Sequence, residues 1–176
     1  MKKLLYAACV SIVMISAVQA EWTSSFSEEG RSWQLCPGNQ ALRGVQCTGD
    51  YCDNLSLYCR GQGLGAVSNA WWTRSISEES TGGRDTVDGV VVRVNDNMQR
   101  CGTNAYIAGM RCSGRYCDNV SLYCKQFQNK RPNNCNWTSW VSEEHGGRLV
   151  FGSNQYAVGM ECIGEYCDTK RFLVCQ

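Results

Sequence analysis

One octapeptide recurs three times, and the recurrence restricts the fold more than any single motif. Trp22-Thr-Ser-Ser-Phe-Ser-Glu-Glu29 returns as Trp72-Thr-Arg-Ser-Ile-Ser-Glu-Glu79 and as Trp137-Thr-Ser-Trp-Val-Ser-Glu-Glu144. Each copy leads to a Gly-Arg pair and then to Cys-x-Gly-x-Tyr-Cys-Asp, at Cys47–Asp53, Cys112–Asp118 and Cys162–Asp168. A period of roughly fifty residues means one supersecondary unit used three times. The repeats run over 21–69, 70–134 and 135–176, and up to three related surface sites are expected.

Residues 1–20 read as a secretory signal peptide. Lys2 and Lys3 form a basic start, Leu4 to Val18 an apolar run, and Val18-Gln19-Ala20 a small-residue cleavage site before Glu21. The run is shorter than the ~20 residues of a membrane span. Its brevity and Lys-Lys start have a bacterial form. The remainder, 21–176, is the length of one domain. Without Lys2 and Lys3 the net charge passes from +1 to −1, which argues against nucleic acid or an anionic membrane as partner.

Cysteine usage points the same way. Setting Cys9 aside, twelve remain, an even number that in an exported chain implies a disulfide framework and a secreted or periplasmic location. Zinc is disfavoured, because there is no Cys-x2-Cys pair and only one histidine. Cys36, Cys47, Cys52 and Cys59 share their spacing with Cys101, Cys112, Cys117 and Cys124. The third repeat keeps Cys162, Cys167 and Cys175, has Phe151 where the first cysteine falls, and adds Cys135 ahead of its Trp.

The segments around the cysteines alternate with a period of two, as in Leu55-Ser-Leu-Tyr-Cys59 and Val120-Ser-Leu-Tyr-Cys124. Each repeat therefore holds a hairpin with a Gly/Asp/Asn-rich turn and both flanking cysteines on its inward face. That face suggests the pairs Cys47–Cys59, Cys112–Cys124 and Cys162–Cys175, leaving Cys36–Cys52, Cys101–Cys117 and Cys135–Cys167. Spacing alone does not prove connectivity. No stretch of 21–176 sustains a helical apolar period. The expected fold is an all-β, disulfide-rich single domain with threefold internal repetition, β-prism-like or β-trefoil-like, whose closure hides strand edges. Two kinds of segment break the symmetry: an insertion at Asp85–Arg100 containing Val90–Val94 as an added strand, and linkers at Gly61–Asn69 and Lys125–Asn134.

Three sets of residues are candidates for chemistry. The Glu pairs, ending in Glu29, Glu79 and Glu144, stand before Arg31, Arg84 and Arg148. Adjacent strand residues face opposite ways, so one Glu turns in toward the Arg and the other out to solvent or ligand. Trp22, Trp72 and Trp137 supply stacking surfaces, which with carboxylates make a carbohydrate-binding constellation. The turns present Tyr51 and Asp53, Tyr116 and Asp118, Tyr166 and Asp168, either as Asx-turns packed on a disulfide or as exposed binding tips. The Asp spacing lacks the density of a calcium loop. Asn54, Asn119 and Asn136 fit the N-glycosylation pattern by chance. His145, the only histidine, completes no catalytic set. No catalytic residue, metal or cofactor is expected.

The unit Trp…Ser-Glu-Glu…Gly-Arg…Cys-x-Gly-x-Tyr-Cys-Asp resembles the disulfide-pinned threefold repeats of β-prism-like C-terminal modules in perforin-type proteins, and is similar to secreted repeat lectins. The likeness is one of architecture and transfers no functional residue. The chain therefore reads as a secreted, non-catalytic, lectin-like protein with a glycan ligand and three related surfaces. The alternative is a protein-binding module (inhibitor, immunity-type or toxin-targeting partner) acting through the 85–100 insertion.

Overall fold

The computed structural model describes residues 21–77 and 97–176, and the backbone of 83–87 and 90–94. The signal-peptide reading and Glu79 lie outside the described residues. The described residues are all β, with fourteen strands: β1 (Glu21–Trp22), β2 (Trp33–Leu35), β3 (Ala41–Thr48), β4 (Asn54–Arg60), β5 (Val67–Trp72), β6 (Gly83–Val87), β7 (Val90–Val94), β8 (Met98–Arg100), β9 (Tyr106–Ser113), β10 (Asn119–Phe127), β11 (Asn136–Trp137), β12 (Arg148–Val150), β13 (Tyr156–Ile163) and β14 (Thr169–Cys175). Among the described residues the only helical pieces are three 3-10 turns, Asp50–Cys52, Arg115–Cys117 and Glu165–Cys167, each joining the strands of one hairpin.

Three antiparallel four-stranded sheets share one plan. Their orders are β1-β4-β3-β12, β5-β10-β9-β2 and β11-β14-β13-β8. The last strand of each is lent by the preceding repeat: β2 goes to the second sheet, β8 to the third and β12 back to the first. The loan explains a glycine found at the same place in every repeat. A Cβ on Gly44 would lie 2.6 Å from the Leu149 carbonyl, one on Gly109 2.8 Å from the Gln34 carbonyl, and one on Gly159 3.1 Å from the Gln99 carbonyl. Each borrowed strand packs where only a glycine leaves room. The residues just before these glycines, at the register shifts, spend their carbonyls on the same neighbours. Arg43 O accepts from Phe151 N, Ala108 O from Cys36 N and Val158 O from Cys101 N.

Burial follows the alternation, most cleanly in β4, where Leu55, Leu57 and Cys59 are buried and their neighbours are not. The main apolar cluster draws on all three repeats, with Phe26, Ile76 and Val141 in one set and Leu57, Leu122 and Phe172 in another. A second cluster gathers Ala41, Leu64, Tyr106, Phe127 and Tyr156. This corrects the linker readings. Where repeats 2 and 3 place Tyr106 and Tyr156, repeat 1 has only Ala41, and Leu64 of the 61–69 segment is fully buried in the same cluster. Lys125 and Phe127 of the other segment extend β10 and are also buried.

All twelve cysteines among the described residues are bonded, but none of the inferred pairs forms. The bonds are Cys36–Cys59, Cys47–Cys52, Cys101–Cys124, Cys112–Cys117, Cys135–Cys175 and Cys162–Cys167. The physical reason is register. Cys47 stands opposite Leu55, and Cys59 opposite Leu42. The two share an inward face yet lie four strand residues apart, about 13 Å, beyond the reach of a disulfide. The bond from Cys47 instead closes its own turn, and that from Cys59 reaches back to Cys36 at the far end. Cys135 does replace the missing first cysteine, by taking the last one, Cys175. Phe151 fills the vacated place and packs on Phe172, ring centroids 5.6 Å apart. Six disulfides point to an oxidising compartment, and no described helix is long and apolar enough to cross a membrane.

The insertion reading also narrows. Val90–Val94 is a strand, paired with Gly83–Val87 in a two-stranded sheet of its own. Met98–Arg100 is not extra, since it is the borrowed strand of the third sheet and the counterpart of Trp33–Leu35.

Candidate functional site

The Tyr/Asp turns and the tryptophans occupy different parts of the molecule. Trp22 pairs in register with Tyr58, Trp72 with Tyr123 and Trp137 with Leu173. The first two positions lie four residues along the strand from the turn, again about 13 Å. The structure thus separates the two kinds of candidate within one repeat.

The turns converge. Tyr51, Tyr116 and Tyr166 come from three repeats yet touch one another, with ring centroids 5.0, 5.2 and 5.0 Å apart. Three expected tips form one cluster, with Arg115 4.9 Å over Tyr116 and 5.7 Å over Tyr166. Each Tyr and the Cys after it sit at φ between 53° and 59°, a region that is uncommon for bulky residues. The preceding glycines explain how the turn tolerates this. At Gly49, Gly114 and Gly164, φ is +79°, +77° and +82°, and a Cβ at any of them would run into the carboxylate of Asp53, Asp118 or Asp168. Only glycine lets the Asp fold back over the turn.

These aspartates are held inside the turns. Asp53 accepts from Asn54 Nδ2 at 2.6 Å and Asp118 from Asn119 Nδ2 at 2.5 Å. Burial raises the Asp53 pKa above its usual value, the Asn54 bond partly offsets this, and the nearby Glu28 raises it further. In repeat 3, Thr169 replaces the Asn, and Asp168 Oδ1 is buried without a hydrogen-bond partner.

The inward glutamates differ from expectation. Glu28 reaches the next repeat, where its Oε1 accepts the Tyr116 N–H at 2.7 Å. Glu143 lies in the same way beside the Cys47–Cys52 bond, but its Oε2 is buried without a partner. Sulfurs in disulfides offer no thiolate, so neither group is a metal site. Glu29 and Glu144 are exposed, as expected of the outward pair members. Arg31 and Arg148 stack on indoles instead of joining these glutamates, 4.2 Å from the Trp33 centroid and 4.5 Å from that of Trp22, and the Arg84 side chain lies outside the described residues. His145 is exposed, and its Nδ1 meets the Ser142 hydroxyl at 2.8 Å within a local turn.

Stacking repeats on all three sheet faces. Trp22 packs on Tyr58 at 5.1 Å and Trp72 on Tyr123 at 5.0 Å. Arg111 lies 5.0 Å from the Trp72 centroid, and Arg171 lies 4.7 and 4.4 Å from those of Trp137 and Trp140. The second face alone carries two indoles from different strands. Trp33 on β2, 39% exposed, and Trp72 on β5 flank a cleft of about 180 Å³ lined also by Leu35 and Arg111. Reading within repeats misses Trp33, Leu35 and Arg111, because the cleft assembles from a borrowed strand. The one available signal was that Trp33 has no aromatic counterpart in the other repeats. No family model matches the chain, and neither a curated protein nor a solved structure does.

Proposed function

We propose that this chain is an exported, non-catalytic, lectin-like binding protein built as a threefold closed, β-prism-like frame. The frame is supported by the cyclic loan of β2, β8 and β12, which closes three sheets on one another without a free first or last unit. The function rests on one observation, the cleft between Trp33 and Trp72. Two indoles beside the Leu35 side chain suit the apolar face of a sugar ring, and the Arg111 guanidinium at the edge suits its oxygens. The cleft lies below the roughly 300 Å³ at which drug-sized pockets begin, and so matches one sugar ring. Trp22 and Trp137 present related indole–guanidinium surfaces, and several weak contacts on one multivalent glycan add avidity.

The test is a glycan array probed with the oxidised protein, followed by tryptophan-fluorescence titration of each hit. The reading expects hits that W33A and W72A weaken at least tenfold. A blank array, or hits indifferent to both substitutions, refutes it. A second reading has its own observation: the β6–β7 hairpin forms a sheet separate from the other three, as a contact device for one protein partner would. Deleting 85–96 while retaining Asn97, which bonds Cys162, and the framework strand Met98–Arg100 abolishes partner capture on that reading and spares glycan binding on the first.

A further inference from the structure

The three sheet faces carry the same Trp but different charges at equivalent register positions. On the third face, Glu161 stands directly across from Arg171. The two form an ion pair at 2.6 Å, with the guanidinium between Trp137 and Trp140. That face contains its own carboxylate, already bound to a guanidinium that lies over indoles. On the second face the position of Glu161 is taken by Arg111, which stands across from Ser121. The Ser121 hydroxyl is engaged with that of Ser75 at 3.1 Å. Arg111 is exposed, and among the described residues no carboxylate is paired with it. Trp72 holds its guanidinium at the cleft edge, and a second guanidinium, Arg31, lies over Trp33. On the first face Gln46 takes the position and stands across from Ser56. Arg148 lies over Trp22 there, but β12 brings no second indole to form a cleft.

We infer that the Trp33–Trp72 cleft is selective for a sugar ring bearing a carboxylate, a uronic-acid-type unit, with Arg111 as the carboxylate receptor. The inference rests on the lectin-like reading and names its ligand class. The third face shows within the same molecule the chemistry required, a carboxylate held by an indole-stacked guanidinium. Arg serves this role better than Lys because its planar fork donates two parallel hydrogen bonds to a carboxylate while its face stays on the ring. Among the described residues the second face supplies the guanidinium and the indoles and lacks only the carboxylate.

The experiment compares three probes by calorimetry and tryptophan fluorescence: tetragalacturonate, the same tetrasaccharide with its carboxyls reduced to alcohols, and a short polyglutamate. The expected result is that tetragalacturonate binds at least tenfold tighter than its reduced form, and that polyglutamate binds no better than the reduced form. R111Q should collapse the ratio between the two sugars, and R111K should restore it only in part. Added NaCl should weaken the acidic sugar more than the reduced one. Equal binding of the two sugars, or a ratio unchanged in R111Q, overturns the acidic specificity and leaves the lectin reading standing. Polyglutamate binding as tightly as tetragalacturonate overturns the sugar class. Failure of all three to bind at millimolar concentration overturns this assignment, while array hits on neutral glycans that require Trp33 keep the broader reading.

Discussion

Replacing Cys36 and Cys59 together by alanine tests the part of this structure furthest from what spacing suggests. The bond between them spans a sequence separation of 23, and that between Cys47 and Cys52 a separation of 5. In the chain-entropy description, closing the longer loop is worth about 3.4 kcal/mol and the shorter about 2 kcal/mol at 25 °C. All four cysteines are buried in the same cluster, so the packing lost on truncation is similar for both pairs. C36A/C59A should then be less stable than C47A/C52A by about 1.4 kcal/mol. Urea unfolding under non-reducing conditions measures this, provided the m-value is constant. Thiol titration of the unfolded variants gives an independent readout. Prepared as residues 21–176, each of these double variants should show no free thiol, whereas C47A/C59A should strand Cys36 and Cys52 and show two. Two thiols in C36A/C59A, or equal destabilisation of the first two variants, would refute the reasoning.

Three further outcomes follow from single contacts. G109A should cost about 1–3 kcal/mol, because its Cβ would meet Leu35 Cδ2 at 2.4 Å and the Gln34 carbonyl at 2.8 Å; G30A, with nothing within 4 Å, should be neutral in the same unfolding assay. E28A should cost about 1–3 kcal/mol by leaving the Tyr116 N–H without its acceptor, while E28Q, which keeps an oxygen there, should cost clearly less. Asp53 has its folded pKa raised above 3.8, chiefly by burial, so the folded state binds the proton more readily than the unfolded chain. Its contribution to stability therefore falls as pH rises from 3.8 through the folded value. D53N, which retains an oxygen for Asn54, should flatten the dependence of the urea midpoint over that window, and an unchanged slope would contradict the assignment.

Several features were legible from residues alone because they are local. Period-two alternation at Leu55-Ser-Leu-Tyr-Cys59 yields a strand with alternate residues buried, whatever surrounds it. The repeated Gly-x-Tyr-Cys-Asp yields a turn, since glycine at positive φ and a folded-back Asp are short-range requirements. An even cysteine count within 21–176 implies a bonded framework. The choice of partners was not legible, because residues on one inward face fall into different pairs once the register separates them by four positions along a strand. The candidate cleft was hidden for a related reason. Trp33 and Trp72 become neighbours only when β2 leaves its own repeat to edge the next sheet. The same closure draws Tyr51, Tyr116 and Tyr166 from three expected sites into one cluster. Sequence determines what each repeat contains, because alternation and turn chemistry act over a few bonds. Tertiary structure alone decides which repeat completes which surface, because that depends on where a strand finds an unpaired edge.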